Sequence, residues 1–132
     1  MFQRLILSAT LIAICAFSVQ QARAQDAAAG EKTFAKCKAC HQVGPTAKNS
    51  TGPELNGLFG RQAGSVAGFN YSPAMKAAGF TWDETSFAAF LPNPKAKVPG
   101  TKMLAGNVKD PAQIADLAAY LKQFGPDGNK AP

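Results

Sequence analysis

Three neighbouring residues carry groups that can bind a metal or form a covalent link: the thiols of Cys37 and Cys40 and the imidazole of His41. On a helical turn, side chains three positions apart project from the same side, so both sulfurs can reach one edge of a porphyrin. Two thiols in this spacing, followed directly by a histidine, are typical of covalent haem attachment. The spacing therefore predicts one haem c, with His41 as the proximal ligand of its iron.

Two other chemistries use a Cys-x-x-Cys pair, namely a structural zinc site and a redox dithiol. Zinc generally needs four Cys or His ligands, but beyond the N-terminal segment the sequence has only Cys37, Cys40 and His41. A thioredoxin-like dithiol lies at a strand-to-helix turn, and no alternating strand pattern precedes Cys37. Haem attachment is the interpretation that these residues favour.

The first 24 residues have the parts of a secretory signal peptide. Arg4 gives the positive start, Leu5 to Val19 form an apolar run, and Ala22-Arg23-Ala24 is a small-residue cleavage site. The apolar run is shorter than the about 20 residues that a spanning helix needs. We expect cleavage after Ala24, export to the periplasm of a bacterium, and a single mature domain of residues 25–132. A membrane anchor left by an uncleaved signal is the alternative.

The mature segment is near the size at which the burial of apolar surface becomes marginal, so a porphyrin would complete its core. Of the 14 basic side chains, Arg4 and Arg23 leave with the signal, and the remaining 12 against 8 acidic ones give a net charge of +4. No dense basic stripe or nucleic-acid-binding module accompanies this charge, so nucleic acid is excluded as a partner. The charge favours an acidic protein partner or a solvated face.

Helical periodicity and capping residues predict an all-α fold of about four helices joined by long loops. The first helix begins at Asp26 and presents Gly30, Phe34 and Cys37 on one face, so it would carry the haem motif. Gly30 predicts a close approach of another backbone, and the last helix is the expected neighbour. The other helices are predicted between Ser72 and Gly79, from Thr81 or Asp83 to Leu91, and from Asp110 to Gly125.

Two long segments, 42–68 and Lys95 to Gly106, lack helical periodicity and are expected to be loop. The last helix begins with Asp110-Pro111-Ala112-Gln113, which is close to a capping box. Loops of this length are uncommon in a compact domain, but a haem gives them a surface to pack against.

A second axial ligand is expected among the methionines, because His41 alone would leave one iron position open. Met75 lies in the short second helix, where an adaptable buried side chain is the ordinary role. Met103 follows a proline-rich segment that begins at Asn93 and can present a side chain rigidly. A thioether opposite an imidazole favours ferrous iron and raises the reduction potential, as an electron carrier needs.

From about Gly30 to Leu121 the sequence resembles the class I c-type cytochromes, the group of mitochondrial cytochrome c and bacterial cytochrome c2. The resemblance implies a small cytochrome c fold around one covalent haem, with Met103 as the sixth ligand. The motifs that carry it are Cys37-x-x-Cys40-His41, Thr51-Gly52-Pro53-x-Leu55-x-Gly57-Leu58-Phe59-Gly60-Arg61, Gly79-x-Thr81-Trp82, and Asn93-Pro94 through Pro99-Gly100-Thr101-Lys102-Met103.

The resemblance also implies roles for residues around the haem. The carbonyl of Pro53 is expected to accept a hydrogen bond from His41 and fix its ring. Arg61, Tyr71 and Trp82 match the donors around the haem propionates, whose ionised carboxylates need hydrogen-bond partners when buried. Gly30 and Phe34 match the first helix where it crosses the last one at Leu117 and Tyr120.

The sequence departs from the mitochondrial pattern at three positions. Phe90 stands where a tyrosine hydroxyl usually points toward the methionine sulfur, so that hydrogen bond is expected to be absent. Met75 replaces a polar residue and makes the pocket more apolar. Ala105 lies near a position that is usually aromatic at the edge that faces the partner.

We expect a soluble single-electron carrier, not an enzyme, that acts as a monomer in electron transport. Its partners would be membrane electron-transfer complexes or periplasmic redox enzymes, with respiratory, photosynthetic and denitrifying roles all open. A haem enzyme or gas-binding protein is the alternative, but the one histidine is the proximal one, so no distal histidine is available. A lysine-rich haem edge is expected to meet the partner, formed by Lys36, Lys38, Lys48, Lys95, Lys97 and Lys102.

Overall fold

The computed structural model describes residues 25–104 and 108–132. The predicted signal peptide and Ala105 lie outside the described residues. Within those residues the helices are, in chain order, α1 (Ala27–Phe34), α2 (Pro73–Lys76), α3 (Glu84–Phe90), α4 (Pro94–Lys97) and α5 (Pro111–Lys122). The same residues contain two isolated β-bridges and no strand, which confirms the all-α class.

Side chains just before the helices explain where the first three of them begin. Asp26 Oδ1 accepts from the N–H groups of Ala28 and Ala29 at the start of α1, at 2.9 and 3.1 Å. Ser72 caps α2 as predicted, and Asp83, one of the two predicted starting residues, caps α3. Each cap satisfies backbone donors that the first helical turn leaves without a partner.

The predicted capping box occurs at a different helix. Asp110 caps α5 through a hydrogen bond from Ala112 N–H to its carboxylate, 2.9 Å, without a box. The box is on α3, where Ser86 N–H donates to Asp83 Oδ1 (2.7 Å) and Asp83 N–H donates to Ser86 Oγ (2.8 Å). Ser86 performs the role that Glu or Gln usually has, so the sequence signature was absent.

The prediction of loop from Lys95 to Gly106 is wrong at its start, where α4 forms. Asn93 Oδ1 accepts from Ala96 N–H at 3.3 Å, and Pro94 occupies the first helical position. These are the same two signals that begin α2, a polar cap followed by proline. The structure therefore adds a fifth, one-turn helix to the predicted four.

The crossing of α1 and α5 is the closest helix contact of the fold. A Cβ on Gly30 would lie 2.5 Å from the carbonyl carbon of Asp116 and 2.9 Å from Cβ of Tyr120, so the two backbones touch there. Beside this point the rings of Phe34 and Tyr120 pack with centroids 5.5 Å apart. The buried carboxylate of Asp116 accepts from Asp26 N–H at 2.9 Å. The expected approach of the last helix to Gly30 is confirmed.

No helix in residues 25–104 and 108–132 combines the length and the apolar character that a membrane span requires. In the described residues, α1, α3 and α5 supply half of the buried apolar side chains, and α2 and the loops supply the rest. Phe34, Leu117 and Leu121 are almost fully buried.

Replacing Gly30 by Ala should lower the free energy of unfolding by roughly 1–3 kcal/mol, because the added methyl group meets backbone atoms that cannot move independently. Helix propensity alone would give the opposite sign, a gain of about 1 kcal/mol. Urea unfolding of the wild-type protein and the variant measures the difference. The exposed Ala28→Gly variant is a control for propensity, and a stabilised Gly30→Ala protein would contradict a backbone contact at this crossing.

Candidate haem site

The Cys-x-x-Cys-His motif lies on turns that continue the chain beyond α1, not on the helix itself as expected. The helix ends at Phe34, and the amide of Cys37 donates to the Phe34 carbonyl at 2.8 Å. Cys40 N–H and His41 N–H both donate to the Cys37 carbonyl, at 3.0 and 2.9 Å. This turn holds the three side chains of the motif close together.

Both thiols of the motif are free and half-buried. Burial raises the pKa of Cys37, and the neighbouring Cys40 raises it further, while Lys36 opposes this shift. These shifts favour the protonated thiol at Cys37. Two thiols that are not joined to each other can each form a thioether with a vinyl group, so the pair fits haem attachment.

One ring nitrogen of His41 makes a hydrogen bond, and the other is available to bind a metal. Its Nδ1 lies 2.8 Å from the carbonyl oxygen of Pro53. A carbonyl can only accept, so Nδ1 carries the proton and Nε2 keeps its lone pair. Burial lowers the pKa of His41, and the charge of Arg61 lowers it further, against the opposing hydrogen bond to Pro53. The imidazole is thus a neutral, oriented ligand for a metal.

Gly52 brings the backbone directly against the imidazole of His41. A Cβ on Gly52 would lie 2.7 Å from Nδ1 and 2.8 Å from Nε2, so no other residue fits there without moving the ring. The amide of Gly52 also donates to the carbonyl of Cys40 at 2.8 Å. Gly52 had no predicted role of its own, and its place directly before Pro53 was the available signal.

Arg61 and Trp82 are brought together by a short pairing of two loop segments. Trp82 N–H donates to the Arg61 carbonyl at 2.9 Å, and Gly60 N–H donates to the Trp82 carbonyl at 2.8 Å. The Arg61 guanidinium donates to the carbonyl of Asn56 at 2.9 Å and lies 3.5 Å from a carboxylate oxygen of Glu54. Trp82 is buried, and its ring packs edge-on against Phe90 with centroids 5.2 Å apart.

Tyr71 is half-buried and lies close enough to Arg61 to feel its charge. Its phenolic oxygen accepts from Val66 N–H at 3.0 Å, which leaves its own hydrogen available to another acceptor. Burial raises the pKa of Tyr71, while the Val66 hydrogen bond and then the nearby Arg61 charge lower it. The phenol is therefore a neutral hydrogen-bond donor at physiological pH.

The two methionines differ in their surroundings. Met75 is a buried core side chain in α2, with only 8 % of its surface exposed. Met103 is partly buried and packs against the same core from the loop after α4. Its backbone N–H donates to Thr101 Oγ1 at 3.3 Å. Phe90, where the family usually has a hydroxyl, is buried and can donate no hydrogen bond from its side chain.

These side chains fit a haem better than a metal ion bound by the protein alone. Among the residues that the structure describes, no group of three or more His, Cys, Asp or Glu side chains could hold a metal. The zinc alternative therefore finds no support. A neutral imidazole, two reduced thiols and a partly buried thioether are the groups that a covalent, axially ligated haem requires.

The six lysines of the predicted haem edge are all exposed. Lys97 Nζ lies over the Phe80 ring, 4.9 Å from its centroid, and Lys102 Nζ donates to the Asn70 carbonyl at 3.3 Å. Next to them, Leu104 is the large apolar side chain with the greatest exposure in the described residues, 78 %. Basic and apolar surface thus adjoin beside Met103.

Comparison with known proteins gives a consistent picture. The family profile of cytochrome c matches residues 27–125. A cytochrome c2 from Blastochloris viridis is 54% identical over 117 residues, which cover 89% of this chain and 92% of that protein. A cytochrome c-554 from Methylosinus trichosporium is 56% identical over 124 residues, which cover 92% of this chain and 94% of that protein.

The fold matches solved structures as well. The structure of cytochrome c2 from Rhodospirillum centenum superposes with a TM-score of 0.72 at 42% sequence identity, covering 76% of this chain and 99% of that one. Family profile, sequence relatives and backbone all agree with the Cys-x-x-Cys-His motif and the loops around it. The chain belongs to the cytochrome c family, as a class I c-type cytochrome of the cytochrome c2 group that carries one covalently bound haem c.

Proposed function

We propose that this protein is a periplasmic single-electron carrier whose haem iron is held by His41 and Met103. The observation that carries the proposal is the state of His41, which is neutral, fixed through Nδ1 to Pro53, and free at Nε2. The haem supplies a one-electron couple when bound. An oriented imidazole that does not move between oxidation states suits such a couple, because little reorganisation accompanies electron transfer.

Cys37 and Cys40 anchor the porphyrin in this proposal, and Gly52 and Pro53 position the imidazole. The thioether of Met103 completes the axial pair and favours ferrous iron. Met75 and Phe90 contribute two apolar side chains to the pocket. Neither provides the hydroxyl or amide that could bond to the sulfur or to a buried water, so these two positions set the potential of this protein apart from that of its mitochondrial relatives.

The haem propionates would meet the donors Arg61, Tyr71 and Trp82. Arg61 and Trp82 are joined through their backbones, and the charge of Arg61 acts on the hydroxyl of Tyr71. A fixed guanidinium and a neutral phenol offer complementary partners to two carboxylates, which lowers the cost of burying them.

We infer that the protein is not an enzyme and that it functions as a monomer after removal of residues 1–24. With both axial positions filled, substrate has no access to iron, and the sequence contains no second histidine to act as a distal acid or base. Partners are membrane electron-transfer complexes or periplasmic redox enzymes. They meet the lysine-rich haem edge, where like charges raise the encounter rate without requiring a tight complex.

The mature protein should begin at Gln25 and have the mass of residues 25–132 plus one haem. Intact-mass measurement after periplasmic expression with maturation factors tests both points. Haem should stay with the polypeptide in acidic organic solvent, because thioether bonds do not dissociate. An unmodified mass or extractable haem would argue against covalent attachment, and retention of residues 1–24 would support a membrane anchor.

Replacing Met103 by Ala should remove the sulfur-to-iron absorption band near the red end of the spectrum and allow cyanide or carbon monoxide to bind readily. Met75→Leu should leave the band in place, since a side chain of similar volume retains the packing. The spectra of the two variants, recorded oxidised and reduced, separate the candidates. The reverse pattern would assign the sixth position to Met75.

The rate of electron transfer to a membrane partner should fall as ionic strength rises, because exposed charges are screened over roughly 8–10 Å at physiological salt. At low salt, Lys95→Glu should slow the reaction far more than Lys130→Glu. Lys130 is the matched control because its Nζ lies over the rings of Tyr120 and Phe124, outside the predicted edge. Second-order rates measured by stopped flow would contradict a basic docking edge if they were independent of salt or equal for both variants.

A further inference from the structure

The side-chain amide of Asn56 is paired with the backbone of a single residue twelve positions away. Asn56 Oδ1 accepts from Gly44 N–H at 2.9 Å, and Asn56 Nδ2 donates to the Gly44 carbonyl at 2.9 Å. The side chain is buried, with 8 % of the residue exposed. An amide that satisfies both peptide groups of one residue acts like a neighbouring strand, so it fixes the separation of the two segments.

Besides the His41–Pro53 hydrogen bond, three contacts join residues 40–44 to residues 52–56, and the Asn56–Gly44 pair is the last of them. The first is the hydrogen bond from Gly52 N–H to the Cys40 carbonyl, 2.8 Å, and the second runs from Leu55 N–H to the Gln42 carbonyl, 3.0 Å. His41 and Pro53 lie between these two contacts. The distance between His41 Nδ1 and the Pro53 carbonyl oxygen therefore depends on these hydrogen bonds between the two segments. Asn56 makes the last of them.

The C-terminal turn after α5 covers the Asn56–Gly44 pair. Phe124 accepts from Gly57 N–H at 3.1 Å, and the chain then reverses, with Gly128 N–H donating to the Gly125 carbonyl at 2.9 Å. Gly128 has a φ of +79°, and a Cβ there would lie 2.7 Å from Asn56 Nδ2. The turn thus packs backbone against the amide and shields its hydrogen bonds from water.

We propose that Asn56 and the turn of residues 125–130 act as positioning elements for the proximal ligand, a role that rests on the proposed ligation by His41. The hydrogen bond to Pro53 makes the imidazole a stronger donor, which favours ferric iron. Asn56 and Gly128 do not touch the imidazole, but they fix the spacing of the two segments that form this hydrogen bond. Loosening either one weakens the bond, makes the imidazole a weaker donor and raises the reduction potential.

Two variants of the haem-loaded protein test this role. Asn56→Leu keeps the size of the side chain and removes both hydrogen bonds to Gly44. Gly128→Ala leaves Asn56 in place and puts a methyl group against both the Gly44 carbonyl and the Asn56 amide. In the reduced, diamagnetic protein, NMR should show solvent exchange of the His41 Nδ1 proton on the order of tenfold faster in both variants, the change that follows from losing about one buried hydrogen bond. The midpoint potential of both should rise.

Two control variants separate positioning from general loss of stability. Ser86→Ala breaks the capping box of α3 at a residue as buried as Asn56, and Gly79→Ala introduces a Cβ at a φ of +73° with only ordinary contacts. Both should lower the unfolding temperature. The exchange rate of the His41 Nδ1 proton and the midpoint potential should stay at their wild-type values. If Asn56→Leu does not fold, the comparison of Gly128→Ala with Gly79→Ala decides whether the positioning role holds.

The results also distinguish this inference from the proposed function. A wild-type spectrum without histidine-ligated, low-spin haem would overturn the proposed ligation itself. With that spectrum present, unchanged proton exchange and potential in both test variants, or equal changes in test and control variants, would overturn the positioning role alone.

Discussion

The hydrogen bond between the imidazole of His41 and the carbonyl of Pro53 is the interaction on which the site depends. It fixes the tautomer, so that the remaining nitrogen keeps a lone pair that it can donate to a metal. It also joins the turn that carries the two thiols to a loop that has no regular structure of its own. Because this loop presses Gly52 against the ring, the imidazole has a single orientation. In the proposed ligation, an imidazole held from both sides would keep its geometry when the iron changes charge.

The helices supply few residues of this site. Their main role is to hold the turns and loops that carry those residues. α1 leads directly into the thiol-bearing turn, and α1 is held by α5 through backbone contact at Gly30 and through the carboxylate of Asp116. Contact between backbones leaves no side chain whose rotation could absorb a shift. The position of the turn is thus set by the crossing, and the loops complete the pocket around it.

Local signals predicted where most of the helices begin, whereas most contacts between distant loop segments had no signal in the sequence. The start of α5 at Asp110 follows from a cap residue and a proline that are adjacent in sequence. The end of α1 at Phe34 was missed because nothing in the following residues stops a helix. α4 was missed although Asn93 and Pro94 carry the signature that had identified α2, since the surrounding prolines and glycine suggested loop throughout.

The site shows the same division. The motif at Cys37, Cys40 and His41 is a local pattern with a chemical meaning, and it identified the cofactor. Asn56 could not be recognised, because its importance comes from pairing with Gly44 across a segment that has no periodicity. A buried amide in a loop has no sequence signature until the fold supplies its partner.

The crossing of α1 and α5 also determines the order in which the molecule can assemble. The contact between Asp26 and Asp116 joins residues 90 positions apart, so it belongs to the slow, entropically costly class of contacts. A chain still lacking its last residues has no partner for its first helix, and an eight-residue helix is not stable alone. The turn that carries the thiols therefore gains its support from α1 only after the segments around Asp26 and Asp116 have come together.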